Sequence, residues 1–129
     1  MYRVMIVDDS ATMRALIKRA IVLSGFEIAG IAEAANGRQA LEQIKASKPD
    51  LLLADLHMPE MGGAELVERL RADAATRDIP VAIITAEPSD RVLRALEALG
   101  VRAHLSKPFT PESIRLVVTQ LLGGARAAA

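Results

Sequence analysis

A chain of 129 residues, 51% hydrophobic and 25% charged, fits one domain, and about two-thirds of its unfolded surface is buried on folding, so it needs no staple. The absence of cysteine excludes a disulfide framework and a thiolate metal site, and fits a reducing cytoplasm. Sixteen basic and sixteen acidic residues cancel, and the aromatic residues are only Tyr2, Phe26 and Phe109; nucleic acid and anionic membranes are therefore not expected partners.

The N-terminal Val4-Met5-Ile6-Val7 run reads as a strand and lacks the length and flanks of a signal peptide, and no apolar run approaches a membrane span. It is followed by Met13, Leu16, Ile17, Ala20 and Ile21, whose spacing marks one helical face with Arg14, Lys18 and Arg19 turned away. A strand at about 27–33 precedes a helix carrying Ala40, Leu41 and Ile44. Leu51 to Ala54 then leads to a helix with Leu66, Val67 and Leu70. Val81 to Thr85 leads to Val92, Ala95, Leu96 and Leu99, stopped by Gly100. A last strand at about 102–106 precedes Ile114, Val117, Val118 and Leu121. Thr110-Pro111-Glu112 supplies an N-cap, a first-position proline and an acid at the helix start.

Five β-α units in series predict an α/β fold, a doubly wound parallel sheet with five helices on its two faces. "RVMIV", "LLLA" and "VAIIT" are nearly continuous apolar runs, as expected of strands covered on both faces. "FEIAGIAEA" and "VRAHLS" mix in polar or small residues and read as edges. Strands 1, 3 and 4 in the centre with 2 and 5 outside fit the flavodoxin-like order 2-1-3-4-5. The domain spans 1–122, and "GGARAAA" at 123–129 is expected to fray.

In such a sheet ligands bind beyond the carboxyl ends of the strands, where the order switches between strands 1 and 3. Asp8 and Asp9 follow the first strand and Asp55 ends the third. One acid alone would be a helix cap or a polar loop residue. Three converging carboxylates repel one another, and oxygen donors with water suit Mg²⁺. A carboxylate can also attack phosphorus to give an aspartyl-phosphate, which needs a metal and cationic or hydroxyl donors for the phosphoryl oxygens. Thr85 ends strand 4 and Lys107 ends strand 5, so both are candidates.

"VDDS" at 7–10, "ADLHMPEMGG" at 54–63, "ITAE" at 84–87 and "SKPF" at 106–109 together resemble the receiver domain of bacterial two-component response regulators, of the CheY-like single-domain type, over essentially the whole chain. The resemblance implies that Asp55 is the phospho-acceptor, Asp9 a direct Mg²⁺ ligand, Asp8 a ligand mainly through water, and His57 a ligand through its backbone carbonyl. Thr85 and Lys107 would bind the phosphoryl group, and the Lys107-Pro108 bond would be cis. His104 stands where receivers carry a switching Tyr or Phe, so either it is the switch residue, open to pH, or it is an exposed edge-strand histidine. His57 and Glu87 occupy positions that tune phosphoryl lifetime in the family.

The implied protein is a cytoplasmic phospho-acceptor, monomer or weak dimer, that catalyses only its own phosphorylation and dephosphorylation. Its donor would be a histidine kinase or phosphotransfer protein, and its target would dock on the fourth helix, fifth strand and fifth helix, about 88–122. A phosphorelay shuttle and a non-phosphorylated scaffold are the alternatives. The haloacid dehalogenase phosphatases need two aspartates separated by one residue after strand 1, and Asp8-Asp9 are adjacent. A nucleotide-binding loop would need glycines after strand 1, and "DDSATM" has none. Direct control of transcription is not expected, since no DNA-binding element follows Leu122.

Overall fold

The computed structural model describes residues 1–86 and 88–127, with 123–127 described by backbone alone. Its elements are β1 (Tyr2–Val7), α1 (Ala11–Leu23), β2 (Ile28–Ala34), α2 (Gly37–Ala46), β3 (Leu51–Asp55), α3 (Gly63–Ala72), β4 (Val81–Thr85), α4 (Asp90–Ala98), β5 (Ala103–Ser106) and α5 (Pro111–Ala127). The five strands form one parallel sheet in the order β2-β1-β3-β4-β5, which is the order expected from the run composition. The tail expected at 123–129 falls at the end of α5 and in part outside the described residues.

The alternation of side chains along each strand splits the core in two. Val4, Ile6, Leu51, Leu53, Ala82 and Ile84 face α1 and α5, where they meet Ile17, Ile21, Ile114 and Val118. Met5, Val7, Leu52, Ala54, Val81 and Ile83 face α2, α3 and α4, against Ile44, Leu66, Leu70 and Leu96. Each fully buried Leu or Ile in these layers stabilises the fold by roughly 1.5–3 kcal/mol. The edge strand β2 is shallower, with only Ala34 fully buried.

Two of the sequence expectations for the helices change. Leu16 shares the apolar spacing of α1 but is 52% exposed; the buried stripe is the narrower Ile17, Ala20, Ile21. Arg14 is turned away from that stripe, as read, with its side chain largely covered by contacts given below. In α4 only Leu96 is fully buried, and Ala95 is exposed. The start of α5 is as read: Thr110 Oγ1 accepts from the Ser113 N–H at 3.1 Å, and Ser113 Oγ accepts from the Thr110 N–H at 2.9 Å, a reciprocal cap.

Candidate functional site at the strand ends

The cap of α1 decides what the acids after β1 are free to do. Ser10, not Asp8 or Asp9, is the N-cap, its Oγ accepting from the Met13 N–H at 3.1 Å. The two carboxylates are thus released from the helix-capping role that a lone acid here would have had. Asp8 is held in place at its backbone instead, its N–H donating to the Ala34 carbonyl at 3.0 Å. Its Oδ1 accepts from the Ser10 N–H at 2.9 Å.

On β3, Asp55 is the last strand residue and is buried. The loop after it folds back tightly: the Gly63 N–H donates to the Leu56 carbonyl at 2.9 Å. A Cβ at Gly63 would stand 2.5 Å from the Asp55 carbonyl oxygen, and one at Gly62 would stand 2.6 Å from that of Leu56. Glycine is required there by close approach of backbone to backbone. Within the same loop Glu60 has φ +66°, a left-handed conformation that a β-carbon disfavours.

From β5, Lys107 enters the same crevice. Its N–H donates to the Thr85 carbonyl at 2.9 Å, and its Nζ lies 3.3 Å from Asp55 Oδ1 and 3.9 Å from Asp8 Oδ2. The Lys107-Pro108 bond is cis, as the sequence resemblance implied. Thr85 is fully buried at the end of β4.

The electrostatics of the cluster are unbalanced. One carboxylate oxygen from each of Asp8, Asp9 and Asp55 lies within 4.8 Å of the other two, and one ammonium faces three acids. Asp8 Oδ2 is buried with no hydrogen-bond partner, because 3.9 Å to Lys107 is beyond hydrogen-bond range. Burial, with the charges of Asp55 and Asp9 adding to it, raises the Asp8 pKa above its ordinary value; the Ser10 N–H and Lys107 oppose this. An orphaned buried oxygen converging with two further carboxylates fits a divalent cation with oxygen ligands. Among the described residues, Asp8, Asp9 and Asp55 could hold one.

The remaining candidates lie around this centre. His57 is exposed at the rim, beside an apolar groove between α3 and α4 that includes Ala64, Val92 and Leu99. His104 pairs with Ile83 across β4 and β5 and is exposed. It lines a groove with Leu93, Leu96 and Glu97 of α4. Glu87 lies outside the described residues.

A sequence model of the response regulator receiver domain matches residues 4–119. The chain belongs to the response regulator receiver family. This CheY-like receiver is 37% identical over 123 residues to the chemotaxis protein CheY1 of Helicobacter pylori, covering 94% of this chain and 97% of that protein. It is 38% identical over 112 residues to CheY of Thermotoga maritima, covering 87% and 90%. Among solved structures, the chemotaxis response regulator CheY4 of Vibrio cholerae superposes with a TM-score of 0.84 at 30% identity, covering 94% of this chain and 98% of that one. The receiver's role in two-component signalling accords with the acidic cluster of Asp8, Asp9 and Asp55 at its strand ends.

One residue of this receiver's site escaped the sequence reading. Arg14 reaches back over the strand ends, its Nη1 donating to the Asp8 carbonyl at 2.6 Å and its Nε to Glu33 Oε1 at 3.1 Å. A signal for this existed. Side chains on a helix lean toward its N-terminus, so a long cation in the first turn of α1 points at the end of β1.

Proposed function

We propose that the protein accepts a phosphoryl group on Asp55 from a phosphohistidine on a histidine kinase or phosphotransfer protein, in a Mg²⁺-dependent step. The observation that carries this reading is the meeting of Asp8, Asp9, Asp55 and the Lys107 ammonium at one crevice, with Asp8 Oδ2 buried and unpartnered. An Asp55 carboxylate oxygen attacks phosphorus, the phosphorus–nitrogen bond of the donor breaks with its electron pair going to nitrogen, and the donor imidazole, protonated on its other ring nitrogen, leaves as the neutral base. Lys107, held 3.3 Å from Asp55 Oδ1, neutralises charge on the phosphoryl oxygens, and the Thr85 hydroxyl donates to another. Asp9 and Asp55 would hold the metal directly, Asp8 mainly through water, and His57 through its backbone carbonyl. Bound there, Mg²⁺ would offset the charge shared by the carboxylates and the phosphoryl group.

Phosphorylation then draws Thr85 toward the phosphoryl group, and His104 responds by turning into the space left behind. The groove beside His104, between β5 and α4, supports this reading by leaving room for the ring to move. The readout is a change in the face made by α4, β5 and α5, where a downstream protein docks. His57 and Glu87 set the lifetime of the phosphoryl group. The protein acts as a phospho-acceptor that promotes only its own phosphorylation and dephosphorylation.

Incubation with Mg²⁺ and acetyl phosphate tests the chemistry. The wild type is expected to gain one acid-labile phosphoryl group by intact-mass spectrometry, and Asp55→Asn none. A wild type without adduct would indicate a scaffold that is not phosphorylated, and equal labelling of the variant would remove Asp55 from the acceptor role.

A further inference from the structure

Asp9 is exposed, so packing alone does not hold its side chain. The restraint the structure shows is on its backbone, on the N-terminal side. The Asp8 carbonyl and the Asp9 N–H share one peptide plane, and that carbonyl is gripped by Arg14 Nη1 at 2.6 Å. The guanidinium is itself tethered by its other edge. Arg14 Nε donates to Glu33 Oε1 at 3.1 Å, and Lys18 Nζ stands 3.9 Å from Glu33 Oε2. The Arg14 side chain is only 18% exposed, and its backbone N–H closes the first turn of α1 onto the Ser10 carbonyl at 3.0 Å. A rigid planar fork thus joins the end of β2 to the end of β1, and it is anchored at both ends.

We propose that Arg14 is a positioning residue: by fixing the Asp8-Asp9 peptide it aims the Asp9 carboxylate and sets the affinity of the site for its divalent cation. This inference rests on the reading of Asp8, Asp9 and Asp55 as a divalent-cation site. The Arg14 side chain contacts the Asp8 carbonyl and Glu33, so it would act through Asp9 and not as a ligand. Its charge and its geometry act in opposite directions, which makes the inference decidable. A cation beside three carboxylates repels a divalent ion, so charge alone predicts tighter binding when Arg14 is neutralised. Positioning predicts weaker binding, because groups that orient metal ligands typically contribute about tenfold or more to affinity.

The test is a Mg²⁺ titration of the full chain by two-dimensional NMR, following the amides of Asp8, Asp9 and Asp55. Arg14→Met is expected to weaken Mg²⁺ binding about tenfold. Arg14→Lys, which keeps the charge and loses the fork, is expected to weaken it as well. Arg19→Met removes an equal charge from the same helix at an exposed residue that touches neither the Asp8 carbonyl nor Glu33, and is expected not to weaken binding. Should Arg14→Met fail to fold, Arg14→Lys decides alone. Binding by Arg14→Lys as tight as wild type, or tighter binding by Arg14→Met, overturns the inference. A wild type whose three amides ignore Mg²⁺ overturns instead the cation reading beneath it, so the two failures are told apart.

Discussion

The strand ends divide into two regions built to different standards. On one side β1, α1, β3 and α3 hold the carboxylates. Asp8 is fixed by its N–H, its carbonyl and its Oδ1, and α3 buries Gly63, Leu66, Val67 and Leu70. On the other side β4, α4 and β5 hold Thr85 and His104. There α4 buries Leu96 alone, and β5 exposes every second residue. The first region keeps acids where repulsion would disperse them; in the second, β4 is buried throughout, but α4 and β5 are held by fewer apolar side chains and can move at lower cost. Local stability follows buried apolar contact, so segments that rearrange are drawn from the weakly buried end of the scale.

Matched truncations give the largest expected effect. Leu66→Ala in α3 should cost about 3 kcal/mol, as fully buried leucines do, whereas half-buried Leu93→Ala in α4 should cost about 1 kcal/mol. Urea denaturation measures both, and equal losses would break the comparison. Hydrogen exchange should agree, with α4 amides opening before those of α3.

Asp8→Asn probes the cost of the ordered side. The folded-state pKa of Asp8 is raised above its unfolded value, so the folded protein binds this proton more readily. Wild-type stability should therefore fall as pH rises from about 3.9 through the folded-state value. In the absence of divalent cations Asp8→Asn should be more stable than wild type at pH 7, with the gap narrowing as pH falls through the folded-state value and closed below about 3.9. A variant less stable than wild type at pH 7 would mean that the Asp8 charge is already satisfied within the fold.

The smallest effect belongs to the loop between β3 and α3. Glu60 has φ +66°, and Asn tolerates that conformation better, so Glu60→Asn should gain about 0.5 kcal/mol. Chemical denaturation with no gain would show that the loop relaxes around Glu60 in the native state. Such slack would place it with the weakly held region.

Most of the fold was legible because the strands advertise their burial. Runs such as "LLLA" and "VAIIT" are what strands covered on both faces look like, and the mixed runs read as edges, which together fit one known strand order. The acids were legible for a related reason: a carboxylate after an apolar strand is costly, and three are costlier. Arg14 was hidden because helical periodicity sorts residues by face and ignores the lean of side chains toward the N-terminus. The shallow seat of α4 was hidden too, since its apolar spacing resembles that of a fully packed helix. Periodicity reports which way a helix faces, not how deeply it sits. Ser10 as cap could have been read from its place before Ala11, but the adjacent acids compete for the same role on composition alone.

The double glycine after Asp55 has a consequence for how this chain can vary. Position 63 carries no reacting group, yet any side chain there would collide with the carbonyl of Asp55 itself. In a saturation library it should tolerate few replacements, for a reason unconnected with phosphate chemistry. A lineage could abandon signalling, lose its acids one by one and still be confined to glycine at this site. Mutational intolerance here would record the closeness of two backbones, and would outlast the function they serve.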